Sequence, residues 1–426
     1  MGFPTLAQGV IIRRPVAVAL AQRLRVDERA VRLLSQLRAR RGPAPLRLSI
    51  PGRSVAVVLD GDDVERLLSA PTTEIATTTP EKQAALGHFQ PHGVLASTGE
   101  DRERRRLFNE TALQTPQALH SAAPALLQRV QRETAELLTE IDTAGALTWD
   151  RFATAWWRIV RGVIFGDAAR LDDRLTDDLA ALRSRANWAF ARRRDDQRRS
   201  RFHDAVRRYL DDPAPGTLAE AIARAHPTPD LAAADQVAHW LFAFDAAGIA
   251  TFRALALLAA HPADERWVRE EFEADASVPR VLDRARGCVL EAVRLWPTTP
   301  MILRESAVDL TWHGERYPQG TTFVVYAPLF HRDASTLEFA DTFAPRIWLD
   351  GQARRHPELV PFSAGPGACP GRNIVLFTAS TTLAALMRTH SYRVQAGADL
   401  SDPVPPSLDH FHLVLRARPF AEHSRG

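Results

Sequence analysis

The 426-residue sequence predicts a mainly α-helical domain with a small β lobe. Three observations carry this. Helical periodicity runs almost unbroken from Glu100 to Arg294, while strand-like alternation gathers near the two ends. No repeat, low-complexity tract or linker interrupts the chain. A lobe assembled from both ends closes the chain on itself, so a single domain over 1–426 is expected.

Taken in order, Met1 to Gln22 holds no apolar run long enough for a signal core or a membrane span; Gly9-Val10-Ile11-Ile12 runs straight into Arg13-Arg14-Pro15. A soluble, cytoplasmic protein without a membrane anchor is the expectation. Pro45 to Leu59 reads as a hairpin turning at Pro51-Gly52. The helical body is expected over roughly 100–296 and 370–389. It includes helices at Pro116 to Asp142, Trp149 to Phe165, Thr176 to Ala191, Asp196 to Leu210 and Val237 to Ala260. Asp211 to Gly216 is a loop. Ile302 to Val325 alternates around His313-Gly314, and Tyr392 to Arg418 reads as short strands joined by prolines. The β lobe is therefore expected from roughly 45–70, 302–325 and 392–418.

Basic residues number 54 against 51 acidic ones, a formal charge of +3, and all but Lys82 are arginine. That balance gives nucleic-acid binding little support. The Arg192 to Arg199 run carries acids at helical spacing and reads as a solvated face. Two cysteines, Cys288 and Cys369, exclude a disulfide framework and any cysteine-ligated iron–sulfur cluster. Cys288 lies among apolar residues and reads as a small core side chain.

Cys369 is different. It sits in Pro361-Phe362-Ser363-Ala364-Gly365-Pro366-Gly367-Ala368-Cys369-Pro370-Gly371-Arg372, which opens onto a helix-like run from Asn373 to Met387. A thiol at a helix N-terminus meets unpaired N–H groups and the positive end of the dipole, both of which favour thiolate. The glycines let backbone pass close to a flat ligand. By itself the loop could serve a nucleophile, a buried structural cysteine or a metal ligand.

The spacing of Phe362, Gly365, Cys369 and Gly371 resembles the heme-binding loop of the cytochrome P-450 family. Glu291 and Arg294, 75 residues upstream of the cysteine counted from Arg294, lie three apart on one predicted helix. Such a pair is common on helix surfaces, but with the cysteine loop it resembles the family's buried glutamate–arginine lock. The stretch Phe244-Asp245-Ala246-Ala247-Gly248-Ile249-Ala250-Thr251 resembles the family's oxygen-binding helix. The chain is thus identified as a member of that family, of a soluble, bacterial type, and the resemblance implies its fold, a triangular helical prism around a buried heme. It also implies heme b on Cys369 and a monooxygenase that inserts one atom of dioxygen into a small, largely apolar substrate. Ala247, Gly248 and Thr251 would flank the oxygen site, with Thr251 holding a relay water. The other reading of Thr251 is a hydroxyl bonded to its own i−4 carbonyl.

The sequence departs from the family at three places. Ala250 stands where an acid is usual, so the carboxylate proton source is missing. Gly367 stands where a basic residue usually meets a heme propionate, leaving Arg304, Arg102 and Arg106 (or Arg105) as the resemblance's candidates for that charge. Arg346 falls one residue before the position, Ile347, of an arginine that normally joins the glutamate pair. The resemblance places Phe89, Phe244, Asp245, Thr299, Met301, Ile302 and Phe411 in the substrate pocket, with His88 and His410 as further polar candidates. Electrons are expected from a separate ferredoxin- or flavodoxin-type donor with its reductase, acting on a monomer. Two alternatives are a peroxide-driven or electron-independent heme-thiolate enzyme and an inactive heme-binding member of the fold.

Overall fold

The computed structural model describes residues 8–420; residues 1–7 and 421–426, at the ends of the expected 1–426 domain, lie outside the described residues. In chain order its elements begin with helices α1 (Pro15–Arg23) and α2 (Val26–Arg41), strands β1 (Leu46–Ile50) and β2 (Arg53–Val57), and α3 (Gly61–Ser69). Strand β3 (Ile75–Ala76) and helices α4 (Pro80–Leu86), α5 (Gly99–Ala112) and α6 (Ala123–Ala144) follow. Then come β4 (Ala146–Thr148), α7 (Trp149–Phe165), α8 (Asp173–Ala186), α9 (Asp196–Asp211), α10 (Leu218–Arg224), α11 (Ala233–Ala260), α12 (Pro262–Phe272) and α13 (Asp283–Leu295). The last third holds β5 (Met301–Ser306), β6 (Leu310–Trp312), β7 (Glu315–Tyr317), β8 (Thr322–Tyr326), α14 (Ala327–His331), α15 (Arg372–Met387), β9 (His390–Ala396) and β10 (Val414–Pro419).

Helix α11 is the axis of the fold. Its 28 residues span about 42 Å, and it packs against α7, α13, α15 and β9. By length and composition the Pro229–Ala260 segment could cross a membrane, yet 78% of its apolar window is buried inside the protein. Its apolarity on all sides is that of a helix enclosed by protein.

The expected hairpin forms with β1 antiparallel to β2, and Gly52 takes the positive φ its turn requires (+70°). β2 runs parallel to β8, and the full sheet has the order β1-β2-β8-β5-β3. β6 and β7 pair through His313 and Gly314, both at positive φ. The C-terminal strands go elsewhere. β9 and β10 pair with each other and β10 with β4, forming a separate three-stranded sheet on the helical body. The β lobe expected from three segments is therefore three sheets, of five, three and two strands, because alternation marks a strand without naming its partner. Part of the 45–70 segment is also helical, as α3.

Helix boundaries shift as well: α11 begins at Ala233 where Val237 was expected, and α8 at Asp173 where Thr176 was expected. α6 begins at Ala123, not Pro116; His120 fixes the preceding turn, with Nε2 on the Ala112 carbonyl and Nδ1 accepting from the Ala122 N–H. α8 stops at Ala186, where Asn187 turns to hydrogen-bond the backbone of Ile11 and Ile12. One large apolar cluster fills the helical body and a smaller one backs the five-stranded sheet. A cavity lined by both lies between them.

Candidate active site

The cysteine loop is built by its glycines. A Cβ at Gly365, where φ is +57°, would lie 2.0 Å from the Leu68 carbonyl oxygen, so only glycine fits there. The Cys369 N–H donates to the Phe362 carbonyl (2.9 Å), and α15 starts three residues later. Burial pushes the Cys369 thiol up; the Gly371 N–H aimed at the sulfur, with Arg106 and Arg372 nearby, opposes this. Without a metal such a sulfur stays a thiol, and a bound cation reverses the preference. Cys288 is fully buried on α13, with its thiol pushed well up by desolvation.

Cys369, Phe362, Ala368 and Pro370 line the cavity from the cysteine loop and Val375 from α15, and Ala243, Ala246, Ala247 and Ala250 line it from α11. Its volume is about 260 Å³, near the lower end of the roughly 300–1,000 Å³ of an ordinary small-ligand cleft.

Charge identifies what kind of group belongs there. Arg102, Arg106 and Arg304 all reach the cavity, whereas Arg105 turns away to Ser97 and the Asp230 carbonyl. Lys82 joins them. Its ammonium donates to the carbonyls of Thr77 (2.5 Å) and Leu303 (2.9 Å), which leaves a third donor free. Arg102 donates to Thr77 Oγ1 and the Pro366 carbonyl, and Arg304 to the Leu303 carbonyl and Ser363 Oγ. Among the described residues none of Lys82, Arg102 and Arg304 has a carboxylate partner; Arg106 pairs with Glu110. Burial, then the neighbouring Arg102, pushes Arg304 down to about 10; burial followed by Arg304 and Arg102 takes Lys82 well below its usual range. Three unpaired cations in one cavity demand an anion. A heme fits, with a thiolate for its iron and this cluster for its two propionates. Gly367 belongs to the fit: a Cβ there would lie 2.2 Å from the Arg304 guanidinium, so the missing basic residue makes room for Arg304.

Helix α11 corrects several expectations. His239, Phe242, Ala243, Ala246, Ala247 and Ala250 share the cavity face. Gly248 does not. It faces α7, where a Cβ would sit 2.6 Å from the indole nitrogen of Trp156, whose N–H donates to the Phe244 carbonyl (2.8 Å). Phe244 packs on the same indole and is off the cavity. Asp245 is paired with Arg183 at 2.6 Å. Thr251 is wholly buried, off the lining, and its hydroxyl donates to the Ala247 carbonyl (2.7 Å), the i−4 arrangement. Of the other pocket residues, Thr299, Met301 and Ile302 line the cavity. Phe89 instead supports Phe242 edge-on, and Phe411 packs on His410 and Trp149. His88 and His410 are buried away from the lining.

The Glu291–Arg294 pair is fully buried and fully partnered. Arg294 grips Glu291 through two bonds (2.6 and 2.9 Å) and donates to the carbonyls of His331, Phe339, Ala340 and Thr342. Glu291 also accepts from the Ala344 N–H and from Trp348 Nε1 (2.9 Å). Arg346 is outside this network, pairing with Asp264 and stacking over Trp267. An indole N–H thus occupies the third arginine's place. Sequence reasoning missed Trp348, Lys82 and His239; the one available signal was that Lys82 is the sole lysine.

The sequence profile of the cytochrome P450 family matches residues 242–420, which includes the centre of α11, Glu291, Arg294 and the cysteine loop. Cytochrome P450 4g15 of Drosophila melanogaster is 35% identical over 119 residues, 27% of this chain and 20% of that protein. Cytochrome P450 76C3 of Arabidopsis thaliana is 32% identical over 141 residues (32% and 26%), and drimenol monooxygenase of Persicaria hydropiper 29% over 177 (37% and 35%). The chain thus spans between a fifth and about a third of the length of these relatives. With a cysteine and three carboxylate-free cations at one cavity of a helical fold, that sequence match marks residues 242–420 as a segment of the cytochrome P450 family.

Proposed function

We propose that this protein is a heme-thiolate monooxygenase. It inserts one atom of dioxygen into a small, largely apolar molecule and takes its electrons from a separate ferredoxin- or flavodoxin-type protein with its reductase. The observation that carries the reading is the meeting of Cys369 with three unpaired cations at one cavity. Heme of the b type, bound through a thiolate, supplies reductive dioxygen chemistry. The chain's residues do the rest. Gly371 N–H, Arg106 and Arg372 favour charge on the sulfur. Lys82, Arg102 and Arg304 hold the cofactor's carboxylates. Ala243, Ala246, Ala247 and Ala250, with Phe242, Val94 and Leu95, present an apolar wall that orients a hydrocarbon and excludes water. A monomer working in the cytoplasm completes the proposal.

The test is spectroscopic. Cys369→Ala should abolish the thiolate-type Soret band of the reduced carbonyl complex, and Cys288→Ala should keep it. Loss of the band in the Cys288 variant alone would overturn the assignment.

One observation favours a second reading, turnover driven by peroxide. Ala250 supplies no acid and the Thr251 hydroxyl is already bonded to Ala247, so proton delivery to reduced dioxygen has no ready group on α11. Product formed with peroxide, but not with a reductase system, would select it.

A further inference from the structure

The α11 face of the cavity, with Val94 and Leu95 beside it, is apolar except at one point, His239. Its ring rests on Phe242 (centroids 5.9 Å apart), which Phe89 holds edge-on (5.8 Å) and the Arg183 guanidinium backs (5.1 Å). Gln90, fully buried, fixes the rotation of the ring through a 3.1 Å bond between its Nε2 and His239 Nδ1. Gln90 Oε1 has no partner. This orientation leaves the oxygen and one amide N–H without a partner, whereas the reverse would leave two N–H donors, the group less often tolerated unpaired. Gln90 therefore donates, Nδ1 accepts, and the imidazole proton sits on Nε2. His239 as a residue is not fully buried, and it lines the cavity.

We propose that the Nε2–H of His239 is the recognition donor of this site, so that the substrate is an apolar molecule carrying a neutral hydrogen-bond acceptor, a carbonyl, ether or ester oxygen. The inference rests on the monooxygenase reading. His239 precedes Ala247 by eight residues, about 12 Å along the helix. The acceptor is therefore placed about 12 Å from the carbon that would be oxidised beside Ala247. Burial lowers the pKa of the ring to about 4, so at neutral pH it is uncharged and offers no compensation to a carboxylate.

The probes are 2-decanone, n-decane and decanoate, titrated into the heme-loaded protein and followed by Soret difference spectra and by the ligand-induced rise in Tm. The ketone should bind about tenfold more tightly than the alkane. That ratio should fall to near one in His239→Phe and persist in His239→Gln, which keeps a donor. Equal binding of ketone and alkane, a ratio that survives His239→Phe, or decanoate as the tightest ligand would each overturn the proposal. Failure of the heme reading is distinguishable, since the native protein would then lack the thiolate-type carbonyl band before any probe is added.

Discussion

Two neighbours on α11 separate packing from chemistry at the scale of single residues. Gly248 exists for Trp156: a methyl group there would press on the indole nitrogen from 2.6 Å. Gly248→Ala should therefore cost roughly 1–3 kcal/mol in stability, the usual penalty for overpacking a core, while heme retention is unchanged. Thr251→Ala removes a hydroxyl bonded to the Ala247 carbonyl, and alanine's higher helical propensity offsets much of that loss, so the variant should fold. If the hydroxyl leaves Ala247 to serve the reaction, the variant should consume reductant and oxygen yet release hydrogen peroxide in place of product. Product yield per reductant equal to the native value would assign Thr251 to its helix alone.

Among elements, the junction of α13 with the 339–348 segment is the most demanding. Glu291 and Arg294 are fully buried, and every oxygen and N–H they present is partnered within it. Removing one member leaves the other as an uncompensated buried charge, so Arg294→Ala should lose about 3–5 kcal/mol, measured by chemical denaturation. Trp348→Phe, which leaves one carboxylate oxygen short of a donor, should lose about 1–3 kcal/mol. Arg346→Ala removes a half-exposed ion pair and a stacking contact outside the network, and should change stability by less than about 1 kcal/mol. A loss in Arg346→Ala as large as that in Trp348→Phe would show that the indole has not taken the arginine's place.

Across the whole molecule, buried histidines set a limit on acid stability. Burial, with Arg294 adding to it, takes His331 down to about 3, where its Nε2 accepts the Val360 N–H; His239 is held at about 4 by burial alone. Both folded values lie below the ordinary histidine value of 6.5. Their neutral forms therefore support the fold fully above pH 6.5. As pH falls toward 4 the unfolded chain takes up protons that the folded one refuses. Each group then removes up to about 1.4 kcal/mol per pH unit. Denaturation midpoints should decline steadily from pH 6.5 to 5; a flat profile over that window would mean that these rings protonate freely in the folded protein.

What was legible in the sequence was short-range. Periodicity marked α7 and α9 nearly residue for residue, the three-residue spacing paired Glu291 with Arg294, and the glycines around Cys369 marked a loop opening onto α15. The choice of Cys369 as the candidate ligand and the order of the three motifs, hence the resemblance to the family, follow from such local patterns. Tertiary structure decided the rest. Strand alternation left open that β10 would pair with Ala146–Thr148, because register is settled by a partner far away in sequence. The rotation of α11 was equally open, since a helix apolar on every side has no stripe to orient it. Only packing against Trp156 turned Gly248 and Phe244 outward and brought His239 and Phe242 to the cavity. Lys82 reached the cation cluster by the same kind of long-range closure, through the Leu303 carbonyl 221 residues away.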